Sequence, residues 1–198
     1  MISKCSIQIV KYLIGSGIIA EEDAELYTYG FFVFLSYIFF FCIVLLWGAL
    51  FKTLLENVLL YFLFTVLRGY AGGFHASSEK RCTMYTIVAL FLSSLGIKFL
   101  NIINRPVIAF ATLIAGSLII FLLSPLDTPA KPLNEEERRH FRKITRTILT
   151  IICMASFSFA IYQKYAVMYA STICIILESI LVLLGKILHN HLISQSAV

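Results

Sequence analysis

Six long apolar runs, at about 30–50, 53–67, 83–100, 106–126, 147–163 and 165–188, occupy most of a chain of 198 residues. A bilayer core of about 30 Å is crossed by about 20 residues of α-helix, and a helix satisfies its own backbone polar groups in hydrocarbon. Runs of this length leave no room for a soluble domain. The composition agrees, with 60% of residues hydrophobic and 14% charged, against roughly 45–50% and about 25% in soluble domains. The expected fold is an all-α integral membrane protein with about six transmembrane helices and an N-terminal amphipathic helix. In that first helix Ile2, Ile9, Val10 and Leu13 fall near one face, with Lys4, Gln8 and Lys11 more polar. It would lie on the inner leaflet or pack on the bundle. One membrane-embedded domain is expected over 1–198, comprising an interfacial segment 1–28, a helical bundle 30–188 and a tail 189–198.

The second run is short. Its fifteen residues reach about 22 Å at 1.5 Å per residue, and it begins with Glu56 and Asn57 and meets Arg68 and Gly69 at its end. Such a span tilts, stops short or draws the following loop into the membrane. The N-terminal segment lacks a small-residue cleavage site and runs into Glu21, Glu22, Asp23 and Glu25, which does not read as a cleavable leader. Five cysteines without CxxC spacing give neither a disulfide framework nor a zinc site. The formal charge of +5 is explained by basic residues at helix ends, so nucleic acid is not implied as a partner; the lipid bilayer is.

Loop charge alternates along the chain. With both termini cytoplasmic, the inner side holds twelve of the 16 Lys and Arg: Lys4, Lys11, Arg68, Lys80, Arg81, Lys131, Arg138, Arg139, Arg142, Lys143, Arg146 and Lys186. The outer side holds the other four, Lys52, Lys98, Arg105 and Lys164. The positive-inside rule selects this orientation and puts residues 68–82 at the cytoplasmic face.

That segment, RGYAGGFHASSEKRC, places His75 and Cys82 in polar sequence between two apolar runs, whereas Cys5, Cys42, Cys153 and Cys174 lie in membrane-like or interfacial sequence. A thiolate is the reactive form of cysteine, and a nearby imidazole commonly generates it. Cys82 follows Glu79, Lys80 and Arg81 at the start of the third span, where helix dipole and cations favour a thiolate. Ser77 or Ser78 can cap that helix and leave amides free for an oxyanion. Gly72 and Gly73 permit a sharp turn or the close approach of a substrate backbone. Seven residues of continuous helix would separate the two Cα atoms by about 10.5 Å, so the chain must bend for the pair to meet. The bland reading of an isolated cysteine is a packing residue, and HxxxxxxC alone is a weak motif.

Taken together, Arg68…Gly72-Gly73-x-His75…Cys82 resembles the signature of the AgrB (accessory gene regulator protein B) family of membrane-embedded cysteine endopeptidases, which process quorum-sensing propeptides in Gram-positive bacteria. A second stretch, Ser124-Pro125-Leu126-Asp127-Thr128-Pro129-Ala130-Lys131-Pro132, is similar to the family's SP-x-D-x-x-x-KP segment and precedes a charged run in the same way. The resemblance covers essentially the whole chain. It implies His75 as base and Cys82 as nucleophile, with Arg68, Gly72 and Gly73 at the other fixed positions of the motif. It also implies an AgrD-like propeptide as substrate, a homodimer, no cofactor or metal, and a multi-pass protein of the cell membrane.

Other positions carry weaker signals. Asp127 and Lys131 either bind peptide or pair to fix their turn. Residues 135–146 read as a solvated helix with neighbours such as Glu135–Arg139 and Glu136–His140 at i,i+4 spacing. They read equally as a cationic site in which Arg138, Arg139, Arg142, Lys143 and Arg146 attract an acidic substrate tail or anionic lipid. Glu178 lies inside the sixth span, where an ionisable group is costly and faces a partner or cavity. His189 and His191, two residues apart with no third ligand, read as solvent-facing rather than as a metal pair. A different function class, a small transporter or channel-like protein with a polar gating loop, would use Arg68, Glu56 and Glu178 as pathway residues. The chain lacks the paired Gly/Pro-broken spans of such folds. A non-catalytic scaffold would make Cys82 dispensable.

Overall fold

The structure, a computed structural model, describes residues 2–74, 78–126 and 133–196, with side chains up to Leu188. Among the described residues seven α-helices follow one another: α1 (Ile2–Gly15), α2 (Ala24–Phe51), α3 (Leu54–Ala71), α4 (Glu79–Ile103), α5 (Pro106–Leu123), α6 (Glu135–Ile161) and α7 (Tyr165–Ser196). Six of them are long and apolar enough to cross a membrane. The described residues contain no strand, only one isolated parallel bridge between Gly72 and Leu126. This is the all-α integral membrane architecture expected, with α1 as the additional N-terminal helix.

The chain separates within α2 into a unit up to Ile43 and a unit from Val44 onward. In the first unit α1 and the start of α2 flank a short 3-10 turn at Glu21–Asp23. The second unit is built around α7, which packs against α3, α4, α5 and α6. Leu67 and Ala71 of α3, Ile120 of α5, Leu149 and Ile152 of α6 and Ile175 of α7 form one buried cluster. Lipid tails are as apolar as these side chains, so helix association must come from close packing and interhelical hydrogen bonds. Both are present. A Cβ on Gly116 would fall 2.7 Å from Ile175 Cγ2, so the bare glycine lets α5 and α7 approach closely. Ser94 Oγ of α4 donates to Asn57 Oδ1 of α3, and Asn57 Nδ2 donates to the Thr53 carbonyl at 2.8 Å. Tyr169 of α7 donates to Asn104 Oδ1 at 2.9 Å, at the left-handed cap that ends α4. Large apolar side chains such as Val107 (80% exposed) and Leu122 (68%) face outward, as a lipid-facing surface requires.

Several helices run further than the apolar runs, and two of these extensions bear on the site. The short second run becomes eighteen residues because α3 continues through Arg68 to Ala71. The charged stretch 135–146 and the fifth apolar run form one continuous helix of 27 residues, α6. Its start is fixed by a capping box: Asn134 Oδ1 accepts from the Glu137 amide at 2.8 Å, while Glu137 Oε2 accepts from the Asn134 amide at 3.1 Å. Glu56, beside the buried Asn57, accepts a hydrogen bond from Asn101 Nδ2 at 3.2 Å.

Candidate active site

Cys82 sits in the first turns of α4, exposed and unpaired. Ser78 caps the helix, its extended backbone aiming Oγ at the Arg81 amide at 3.4 Å. The Cys82 amide donates to the Ser78 carbonyl at 2.9 Å, so any free amides of this terminus belong to the residues before it. The thiol therefore stands at the positive end of a helix dipole with Lys80 and Arg81 just ahead of it in the chain.

His75 lies outside the described residues; the chain up to Phe74 approaches α4. The Phe74 ring meets the Tyr85 ring at 6.2 Å between centroids. Tyr85 follows Cys82 by three residues, which places both on one helical face. The residue that precedes His75 thus touches the face that carries Cys82.

The path to that point is closely held. Gly72 adopts φ 73° and ψ −155°, and Gly73 φ 119°. Arg68, in the last turn of α3, donates from Nη1 to the Gly72 carbonyl at 2.6 Å and from Nη2 to the Phe74 carbonyl. Its guanidinium also faces Glu178 Oε1 of α7 at 3.5 Å. Glu178 is fully buried, and among the described residues its oxygens accept no hydrogen bond, so this ion pair is its electrostatic partner. The Phe74 amide donates to the Leu181 carbonyl of α7 at 2.9 Å.

The two sequence motifs meet here. Gly72 bridges Leu126, whose amide donates to the Ala71 carbonyl at 3.1 Å. Leu126 belongs to the SPLD stretch, which enters through a cis Ser124–Pro125 peptide. Asp127 and Lys131, further along that stretch, lie outside the described residues. The close approach that the glycine pair permits is made by the chain's own backbone at Leu126 and α7.

The cationic segment sits on α6 nearby in the chain. Arg139, Arg142, Lys143 and Arg146 line a shallow groove of about 350 Å³ with Thr147 and Thr150. Arg138, which is half-buried, does not line it. Arg146 also stacks its guanidinium 4.1 Å from the Phe121 ring of α5. Tyr70 of α3 packs edge-on against Phe141 at 5.6 Å, tying the charged half of α6 to the end of α3.

The chain matches the family described as accessory gene regulator B over residues 6–182. It belongs to this family. It is 29% identical over 137 residues to an AgrB-like protein of Clostridium perfringens, which covers 66% of this chain and 64% of the relative. It is 31% identical over 99 residues to an AgrB-like protein of Listeria monocytogenes (50% of this chain, 48% of the relative). Protein FsrB of Enterococcus faecalis is 28% identical over 124 residues, 61% of this chain and 51% of FsrB. The matched region thus spans less than two thirds of the length of these relatives. No solved structure matches the chain.

Several participants gave little sign in the sequence. Glu178 was visible as a costly charge in an apolar run, but not its pairing with Arg68 across 110 residues of chain. Tyr85 looked like an ordinary span residue, and Leu126 stood in the second motif with no sign of its partner. The capping box at Asn134 and Glu137 went unread in the sequence, although its N-x-x-E spacing is the signal that finds it.

Proposed function

We propose that this AgrB family member is a membrane cysteine endopeptidase that cleaves an AgrD-like autoinducing propeptide for quorum sensing and closes the product into a ring. The single observation that carries this reading is the Phe74–Tyr85 contact, which brings the segment leading into His75 onto the helical face of an exposed cysteine. Cys82 as a thiolate, with His75 as imidazolium, attacks the scissile carbonyl carbon. The C–N bond breaks, the departing amine takes the proton of His75, and the N-terminal part of the propeptide remains as a thioester on Cys82. An internal thiol or hydroxyl of the propeptide then attacks the thioester and passes its proton to His75. Cys82 leaves as thiolate and the peptide leaves as a thiolactone or lactone. Held near the acyl carbon, such a nucleophile reaches effective molarities of roughly 10⁵ M or more, enough to outcompete water at about 55 M.

The rest of the reading follows the same lines. Arg68, Gly72 and Gly73 shape the site. Arg139, Arg142 and their cationic neighbours recruit an acidic tail of the propeptide. Asp127 and Lys131 belong to its binding surface. The protein works as a homodimer in the cell membrane with both termini and Cys82 on the cytoplasmic side.

The test is purified full-length protein in proteoliposomes with an AgrD-like propeptide. Cys82→Ala and His75→Ala should each lower cleavage by at least about 10²-fold while still inserting, and the double variant should be scarcely worse than either. Intact-mass analysis should find a hydroxylamine-sensitive adduct on Cys82, and a product lighter by one water than the linear fragment. Normal processing by Cys82→Ala would reject the thiol mechanism. Linear fragment alone, where the cyclic product is stable, would leave a simple endopeptidase.

A further inference from the structure

Glu178 is difficult to justify by stability. A carboxylate with no exposed surface, inside a helix long and apolar enough to span a bilayer, carries a desolvation cost that one ion pair at 3.5 Å does not obviously repay. An apolar residue would pack there without that cost. What the pair does achieve is geometric. Arg68 is the hub: one guanidinium nitrogen faces Glu178 and holds the Gly72 carbonyl at 2.6 Å, and the other holds the Phe74 carbonyl. The planar fork of arginine presents these donors in a fixed relation to one another. Glu178 therefore sets where the fork sits, and the fork sets where the chain runs.

The same helix fixes the segment twice more. Leu181, three residues after Glu178, accepts the Phe74 amide at 2.9 Å. Gly185, one turn further, leaves the space into which the chain fits: a Cβ there would lie 2.8 Å from both Gly73 C and Phe74 N. Gly73 must itself be bare, since a Cβ would lie 2.6 Å from Arg68 Nη1 and 3.0 Å from the Leu181 oxygen. Glu178, Leu181 and Gly185 follow one another at helical spacing along one face of α7.

We infer that α7 is the positioning platform for the proposed base, with Glu178 acting through Arg68 and Gly185 acting by its missing side chain to hold Gly72–Phe74, the segment that precedes His75 in the chain. This rests on the peptidase reading and deepens it. Neither residue is catalytic; both act through the chain they hold. A misplacement of about 1 Å at a reacting group costs about 10²-fold in rate, so loosening the platform should lower kcat with little change in KM.

The experiment uses the full chain in proteoliposomes with the propeptide. Glu178→Gln keeps the shape and removes the charge. Gly185→Ala places a methyl group against Gly73 and Phe74, and the split between kcat and KM separates displacement of that segment from a general loss of packing. Arg68→Lys keeps the charge and loses the fork. Cys174→Ala, one turn from Glu178 and equally buried, controls for disturbance of α7, and Cys82→Ala sets the inactive baseline. A parallel measurement follows alkylation of Cys82 by iodoacetamide without substrate, in versions retaining only that cysteine.

Glu178→Gln, Gly185→Ala and Arg68→Lys are expected to lose about 10²-fold in kcat with KM within about twofold, and to slow alkylation. Glu178→Gln combined with Arg68→Lys should be no worse than either alone, and Cys174→Ala should match the parent. Parental kcat in both Glu178→Gln and Gly185→Ala, with Cys82→Ala inactive, overturns the platform and spares the peptidase. Activity in Cys82→Ala overturns the peptidase and the platform with it. If Glu178→Gln does not insert, Gly185→Ala decides by the same two readouts: parental kcat and alkylation rate overturn the platform.

Discussion

Gly72 concentrates what single residues contribute to this site. Its φ of 73° and ψ of −155° fall in a region that side chains other than glycine's rarely adopt, at a cost of roughly 1–3 kcal/mol. A Cβ would also press on Leu126, 3.2 Å from its nitrogen and 3.3 Å from its carbonyl carbon. Gly72→Ala should therefore part the two loops, lower the thermal midpoint in detergent in line with about 1–3 kcal/mol, and remove propeptide cleavage. An unchanged midpoint and normal cleavage would mean that the Gly72–Leu126 bridge holds nothing that matters. The glycine pair was conspicuous in the sequence, and so was its use in a tight path. Its partner was not, because Leu126 stands more than fifty residues later, and a parallel bridge of one residue leaves no periodic signal. The same limit applies to Arg68 and Glu178: each was visible as a charge in an apolar setting, but pairing is a property of packing.

At the scale of elements, hydropathy located each span but not where each helix ends, and two of those ends matter for the site. It counts transfer into lipid, whereas a helix continues as long as its backbone bonds and cap allow. In α3 the last turn carries Arg68 into the bundle, where Glu178 receives it. In α6 the capping box starts the helix at Glu135, twelve residues before the apolar run begins, so one rod carries both a charged and an apolar half. That rigidity gives Arg139, Arg142, Lys143 and Arg146 fixed places along one groove. If the groove recruits an acidic propeptide tail, Arg139→Glu with Arg142→Glu should raise KM and flatten its dependence on salt, with kcat less affected. The attraction of exposed charges is screened over about 10 Å at 0.1 M salt, so the parent's KM should rise with salt while the variant's stays nearly level. Identical salt series for the two proteins would favour a solvated face or an anionic-lipid contact.

For the whole molecule, the count of spans follows from length and apolarity, and the structure adds a relation that the count alone cannot give. If each of the six apolar helices crosses the bilayer, the α3–α4 and α5–α6 connections must emerge on one side. The Gly72–Leu126 bridge joins those two connections directly, which agrees with that parity, and the Asn104–Tyr169 bond joins the α4–α5 connection to the start of α7 at the other end. Which end is cytoplasmic then rests on charge. With both termini on the same side as residues 68–82, twelve of the 16 Lys and Arg would share that side, and short cytoplasmic loops carry such an excess. Cys82 should therefore be reached from the inside. Cys5 and Cys42 are also exposed, Cys153 is partly so, and Cys174 is buried, so the labelling must use a version in which Cys82 is the one cysteine kept. A membrane-impermeant maleimide should label that protein in inverted vesicles and leave it unlabelled in intact cells, with detergent restoring full labelling in both. Efficient labelling of intact cells would reverse the orientation. It would also place the proposed thiol on the outer face, where a cytoplasmic propeptide could meet it only after crossing the membrane.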